Sequence, residues 1–156
     1  MVFSLEIRKE RYESFSAVGG FFRQFEQVLV AADERDIVRT RSNVRGEDVY
    51  LYRLQMSQAN VRALFLEYLN AANELRRARR FYNTLTSNCT TIVFELARLI
   101  APALPMDYRL LLSGHFAEYI HDLHGLTPGH RYAELQALGH INERALASDA
   151  SGDDFS

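Results

Sequence analysis

The sequence predicts an α+β fold, with a mainly antiparallel sheet of three or four strands in its N-terminal half followed by about four helices. Two observations carry this. Before residue 57 the apolar residues recur in strand-like stretches, and from Ser57 onward they recur at helical spacing. Strands are followed by helices rather than alternating with them, which favours antiparallel pairing over a βαβ sheet.

The elements follow in order. In VFSLEIR, residues 2–8, Phe3, Leu5 and Ile7 alternate with Ser4, Glu6 and Arg8, the period of a half-buried strand. FEQVLVAA (25–32) and DVYLYRL (48–54) concentrate β-branched and aromatic residues and read as two further strands. DIVRTR (36–41) fits a short strand between them. Gly19-Gly20 and SNVRGED (42–48) supply turn chemistry. Ser57 is an N-cap for a helix reaching about Arg79, with Val61, Leu64, Phe65, Tyr68, Leu69, Ala72 and Leu75 at helical spacing. A second helix starts after Asn88, with Ile92, Val93, Leu96 and Ile100 as its stripe, and ends before Pro102 and Pro105. Two more are expected at roughly 113–124, stopped by Gly125, and 131–147. Residues 1–148 read as a single domain and 149–156 as a loose acidic tail.

Composition narrows the function classes. The chain has 156 residues, 47% of them apolar and 24% charged, the profile of a globular domain with one sizeable core. A net charge of −2 gives no electrostatic case for nucleic acid or an anionic membrane as the main partner. The single cysteine excludes an internal disulfide. The start, MVFSLEIRKE, lacks the layout of a signal peptide, and the longest apolar run, TIVFELARLIAPAL, is too short and too charged to span a bilayer. As encoded, the chain is expected to be cytoplasmic.

Cys89, within SNCTT, carries the chemical question. Asn is among the best N-cap residues, so Asn88 predicts that Cys89 lies in the first turn of a helix. There the unpaired N–H groups and the positive end of the helix dipole favour thiolate, the form that attacks carbonyls. The same N–H groups could hold an oxyanion. The other reading is a small residue packed in the core, for which an Asn cap needs no catalytic reason.

The triplet Asn88-Cys89-Thr90, with EIRKE (6–10), FFRQFE (21–26), RGEDVYLY (45–52) and LLLSGH (110–115), resembles the Lnb-type N-terminal periplasmic domain family of bacteria, a domain family of unknown function. The resemblance covers most of residues 2–142. The order of a histidine, strands and an Asn-Cys at a helix start is also similar to permuted NlpC-type cysteine peptidases and lecithin–retinol acyltransferase-like proteins. This implies a papain-like, permuted fold and a cysteine-dependent hydrolase or acyltransferase, with a sheet histidine as base and a polar residue on the next strand orienting it. It also implies a cell-envelope substrate or partner.

The sequence departs from that pattern at the base. Its histidines are His115, His121, His124, His130 and His140, and none precedes Cys89. The chain therefore reads as a domain lacking its first strand or strands and impaired as a catalyst; Ser4 and Glu6 read first as exposed polar strand residues, with a remnant of the orienting shell as the alternative. Among the downstream histidines His115 is the best candidate for a substitute base, and a helix-cap or surface histidine is the preferred reading of it. Asn88, Cys89, Thr90 and His115 are thus the candidate catalytic set.

Two other clusters stand out. His121 and His124, three apart on a helical segment, could share a metal with another histidine, but no helical His-Glu-x-x-His or cysteine set accompanies them. They read as solvated helix residues, and the sequence calls for no metal or cofactor. Arg76, Arg77, Arg79 and Arg80 close the long helix, where cations complement the dipole; a site for an anionic group is the alternative.

Overall fold

A computed structural model describes residues 1–8, 25–83 and 88–151. Among these the fold is α+β, with a two-stranded sheet of β1 (Val2–Arg8) and β2 (Glu26–Ala32) and six helices. The helices are α1 (Glu34–Arg39), α2 (Gln58–Arg77), α3 (Cys89–Ile100), α4 (Phe116–Asp122), α5 (Tyr132–Gly139) and α6 (Asn142–Ser151). Gly19-Gly20 and most of FFRQFE lie outside the described residues. So do residues 152–156 of the expected tail, whereas Asp149 sits in α6 and accepts a bond from Arg39 Nε at 2.7 Å.

Among the described residues the expected sheet of three to four strands is reduced to two, for identifiable reasons. Residues 36–41 are not a strand. Asp33 caps α1, its Oδ1 accepting from Arg35 N at 2.9 Å, and Glu34 and Asp36 place negative charge in the first turn. The helix runs on into a single wide turn at Thr40–Val44, where Arg45 N bonds Thr40 O. Residues 48–54 are extended, but helix ends and turns take the place of a sheet partner. Ile141 N donates to Val49 O, Leu51 N to Gly139 O and Gln55 N to Gly125 O, leaving only isolated antiparallel bridges at Tyr50–His140 and Leu54–Leu126. The papain-like, permuted arrangement implied by the resemblance is not confirmed.

The chain divides into two compact units. The first holds Met1–Phe3, Ala31–Gln55 and the residues from Ile120 onward. Its core brings Val38 of α1 against Ile141 and Ala145 of α6, with Val49 packed beside them. Asn142 ties the extended segment down, accepting from Val49 N and donating to Glu47 O. The helix expected over 131–147 is split at His140-Ile141, because these residues pair with Tyr50 and Val49. Gly139 permits the approach, since a Cβ there would meet Leu51 O at 2.7 Å.

The second unit holds Ser4–Val30 and Met56–Tyr119. α2 starts at its predicted cap, with Ser57 Oγ accepting from Asn60 N. None of its residues is buried, and Val61, Phe65, Leu66 and Leu69 are exposed. The burial falls on α3 instead, through Ile92, Phe94 and Leu96. Phe94 meets Tyr119 edge-on, Phe116 stacks on Tyr119, and the Tyr119 hydroxyl donates to Pro105 O at 2.8 Å.

Candidate active site

α3 begins at the Asn88 cap. Asn88 has β-region dihedrals (φ −92°, ψ 174°), and its Oδ1 accepts from Thr90 N at 2.9 Å and Thr91 N at 2.8 Å. The Thr91 hydroxyl closes the box, accepting from Asn88 N at 2.8 Å and donating to Asn88 O at 3.0 Å. Asn88 and Thr90 are buried, whereas Cys89 between them is exposed, at the first position of the helix. The sulfur is thus held by a rigid cap and open to solvent, not sealed in the core.

The cap changes what the helix start can offer. The N–H groups of Thr90 and Thr91, expected to be available to an oxyanion, are committed to Asn88. The N–H of Cys89 itself precedes them and is the helix-start donor that this cap leaves outside its bonds.

Tyr82 is the residue that periodicity and motif spacing did not single out. It is half-buried, and burial pushes its phenol above the ordinary tyrosine range, with negative charge at Cys89 adding to the effect. Its position is fixed by Tyr82 N donating to Phe25 O, while Gln27 N donates to Arg80 O, so residues 80–82 lie along β2. Nothing in the residue types of FYN announces that placement; it arises from the pairing with β2.

The other candidates stand apart from the cysteine in their bonding. His115 is exposed, its Nδ1 lies 3.2 Å from Glu118 Oε2, and its N–H donates to Leu112 O. Ser4 Oγ donates to Glu6 Oε1 at 2.6 Å, so the two strand residues satisfy one another on β1. His121 engages Asp122 and His130 O, and His140 engages Asp48. No group of three metal-ligating side chains forms among the described residues. At the end of α2, Arg79 pairs with Glu26 and Arg80 with Glu74.

Comparison with known proteins rests on one match. A family model described as the Lnb N-terminal periplasmic domain matches residues 1–114, a span that includes Asn88, Cys89 and Thr90 and stops short of His115. No curated protein and no solved structure matches the chain. The description gives the family a periplasmic setting and lends no support to the cytoplasmic expectation. No described helix is long and apolar enough to cross a membrane. With the matched span covering most of the sequence and all of the Asn-Cys-Thr cap, the chain belongs to the Lnb N-terminal periplasmic domain family.

Proposed function

We propose that Cys89 is the nucleophile of a thiol-dependent acyl transferase or hydrolase of the cell envelope. The observation that supports it is an exposed thiol at the first position of a capped helix. The Cys89 thiolate adds to an amide or ester carbonyl, and the resulting oxyanion is met by the Cys89 N–H and the positive end of α3. Collapse expels the amine or alcohol, which takes up a proton, and leaves a thioester on Cys89. Water or an acceptor amine then attacks the thioester and returns the thiolate.

Asn88 and Thr91 are positioning residues here, holding the first turn. The Tyr82 phenol is raised by burial first and by negative charge at Cys89 second, so it stays protonated. His115 is this chain's own candidate for the base, with Glu118 orienting its ring. General-base assistance is worth about 10²–10⁴ in rate, so turnover with His115 unengaged is slow.

The test is acyl capture. Incubation with an activated ester such as p-nitrophenyl acetate is expected to leave one acetyl group on the protein, labile to hydroxylamine and absent in Cys89→Ser. A chain that stays unmodified, or is modified equally in Cys89→Ser, contradicts the proposal. A second reading, a binding module without catalysis, is favoured by the exposed Val61, Phe65, Leu66 and Leu69 of α2.

A further inference from the structure

In the second unit, β2 and the C-terminal part of α2 enclose a cleft of about 310 Å³. Ala72 and Leu75 give it an apolar wall, and Arg8, Arg76 and Arg79 line it around the carboxylate of Glu26. Glu26 accepts from Arg79 Nη1 at 2.9 Å and lies 4.0 Å from Arg8 Nη1. Arg76 has no ion-pair partner among the described residues. Among the described residues lining the cleft, three guanidinium groups face one carboxylate, a surplus of two positive charges.

Complementing the helix dipole accounts for arginines in the last turn of α2. It does not account for Arg8, which comes from β1 and faces the same cleft. Convergence of cations from a strand and a helix end describes a pocket more than a helix cap.

We infer that this cleft binds a phosphoryl group. A phosphomonoester carries a charge of about −1.5 to −2 near neutral pH, which matches the surplus. The planar guanidinium fork suits phosphate oxygens, which it bonds in pairs. The volume suits a phosphoryl group with a small attached moiety, at the low end of ligand pockets. The negative end of α2 opposes an anion, so the arginines alone supply the attraction. The phosphoryl group belongs either to a soluble phosphomonoester or to a lipid headgroup. The inference does not depend on the chemistry of Cys89.

The experiment uses the full chain. Glycerol phosphate is titrated by calorimetry, and flotation is run with phosphatidylcholine vesicles with and without phosphatidic acid. Binding is expected to weaken about tenfold or more in Arg76→Gln and in Arg76→Gln/Arg79→Gln. It is expected to be unchanged in Arg62→Gln, an arginine on α2 outside the cleft, and in Cys89→Ser. Thermal melting checks that each variant folds; Arg76→Gln, which breaks no ion pair among the described residues, covers the case in which the double variant does not. Binding of glycerol phosphate with this variant dependence assigns a soluble ligand, and binding confined to phosphatidic acid vesicles assigns a lipid headgroup. The inference is overturned if neither probe binds, or if Arg62→Gln weakens binding as much as Arg76→Gln.

Discussion

At the scale of single residues, Asn88 is the hinge of the site. One side-chain oxygen satisfies two of the helix's unpaired donors, so removing it loosens the turn that carries Cys89. Asn88→Ala is expected to cost about 1–2 kcal/mol in chemical denaturation, while Asn88→Asp, which keeps the acceptor, stays within a few tenths of a kcal/mol of the native chain. Equal losses in the two variants would show that the cap does not anchor α3. The cap and the helix start at Cys89 were legible in the sequence, because capping is local chemistry between near neighbours. The placement of Tyr82 was not, since it depends on residues 80–82 meeting β2, a contact between positions more than fifty apart.

At the scale of elements, the positions of the breaks matter more than the helices themselves. Gly125 was expected to stop α4, and it takes part, but the left-handed residue is His124, at φ 56°. Gly125 N donates to Ile120 O and His124 N to His121 O, the paired bonds of a Schellman turn. Gly125 sits one place further on, where a Cβ would meet Ile120 Cγ2 at 2.8 Å. His124→Gly is accordingly expected to raise the melting free energy by up to about 1 kcal/mol, the strain of a non-glycine residue in that conformation; a loss of stability would contradict the strain. Gly139→Ala should do the reverse, costing about 1–3 kcal/mol because the obstructing atom is the Leu51 carbonyl, not a flexible side chain. A neutral Gly139→Ala would mean that the extended segment is free to back away. The β-branched and aromatic residues of 48–54 pointed to a strand, and only isolated bridges form there. They carried no information on the partner, and a strand-like run can be bonded by helix ends as readily as by another strand. In 36–41 the β-branched pair Ile37-Val38 pointed to a strand, and the Asp33 cap with its acidic first turn outweighed it.

At the scale of the whole molecule, the α+β class was legible because it needs only the change of period near Ser57. The number of sheet strands was not, because pairing is set by distant contacts that propensity does not encode. The electrostatics of each unit can be tested through acid. In the first unit, Asp149 is held below the ordinary carboxylate range by its bond from Arg39, and Glu134 by its bonds from Arg131. In the second, Arg109 holds Asp107 down in the same way. A carboxylate with a depressed pKa in the folded chain contributes stability that is present above its unfolded value, about 3.9 for Asp and 4.3 for Glu. That stability is lost as pH falls through the lower folded value. The melting temperature is therefore expected to hold between neutrality and about pH 5 and to fall below about pH 4. Arg39→Gln should blunt part of that fall, and a melting temperature unaffected down to about pH 3 would contradict the assignment. The Arg39–Asp149 and Arg131–Glu134 pairs are surface-exposed, so their share of the effect shrinks in high salt, whereas the half-buried Arg109–Asp107 pair is screened less.

Reactivity of the Cys89 sulfur in the folded protein, conferred by the start of α3, is what the proposed chemistry requires. It is tested most directly by the rate of iodoacetamide alkylation as a function of pH, in the native chain and in the same chain unfolded in urea. The native chain is expected to react faster than the unfolded one at about pH 6, and Asn88→Ala to narrow the difference. A native thiol that reacts no faster than the unfolded one at any pH would contradict it.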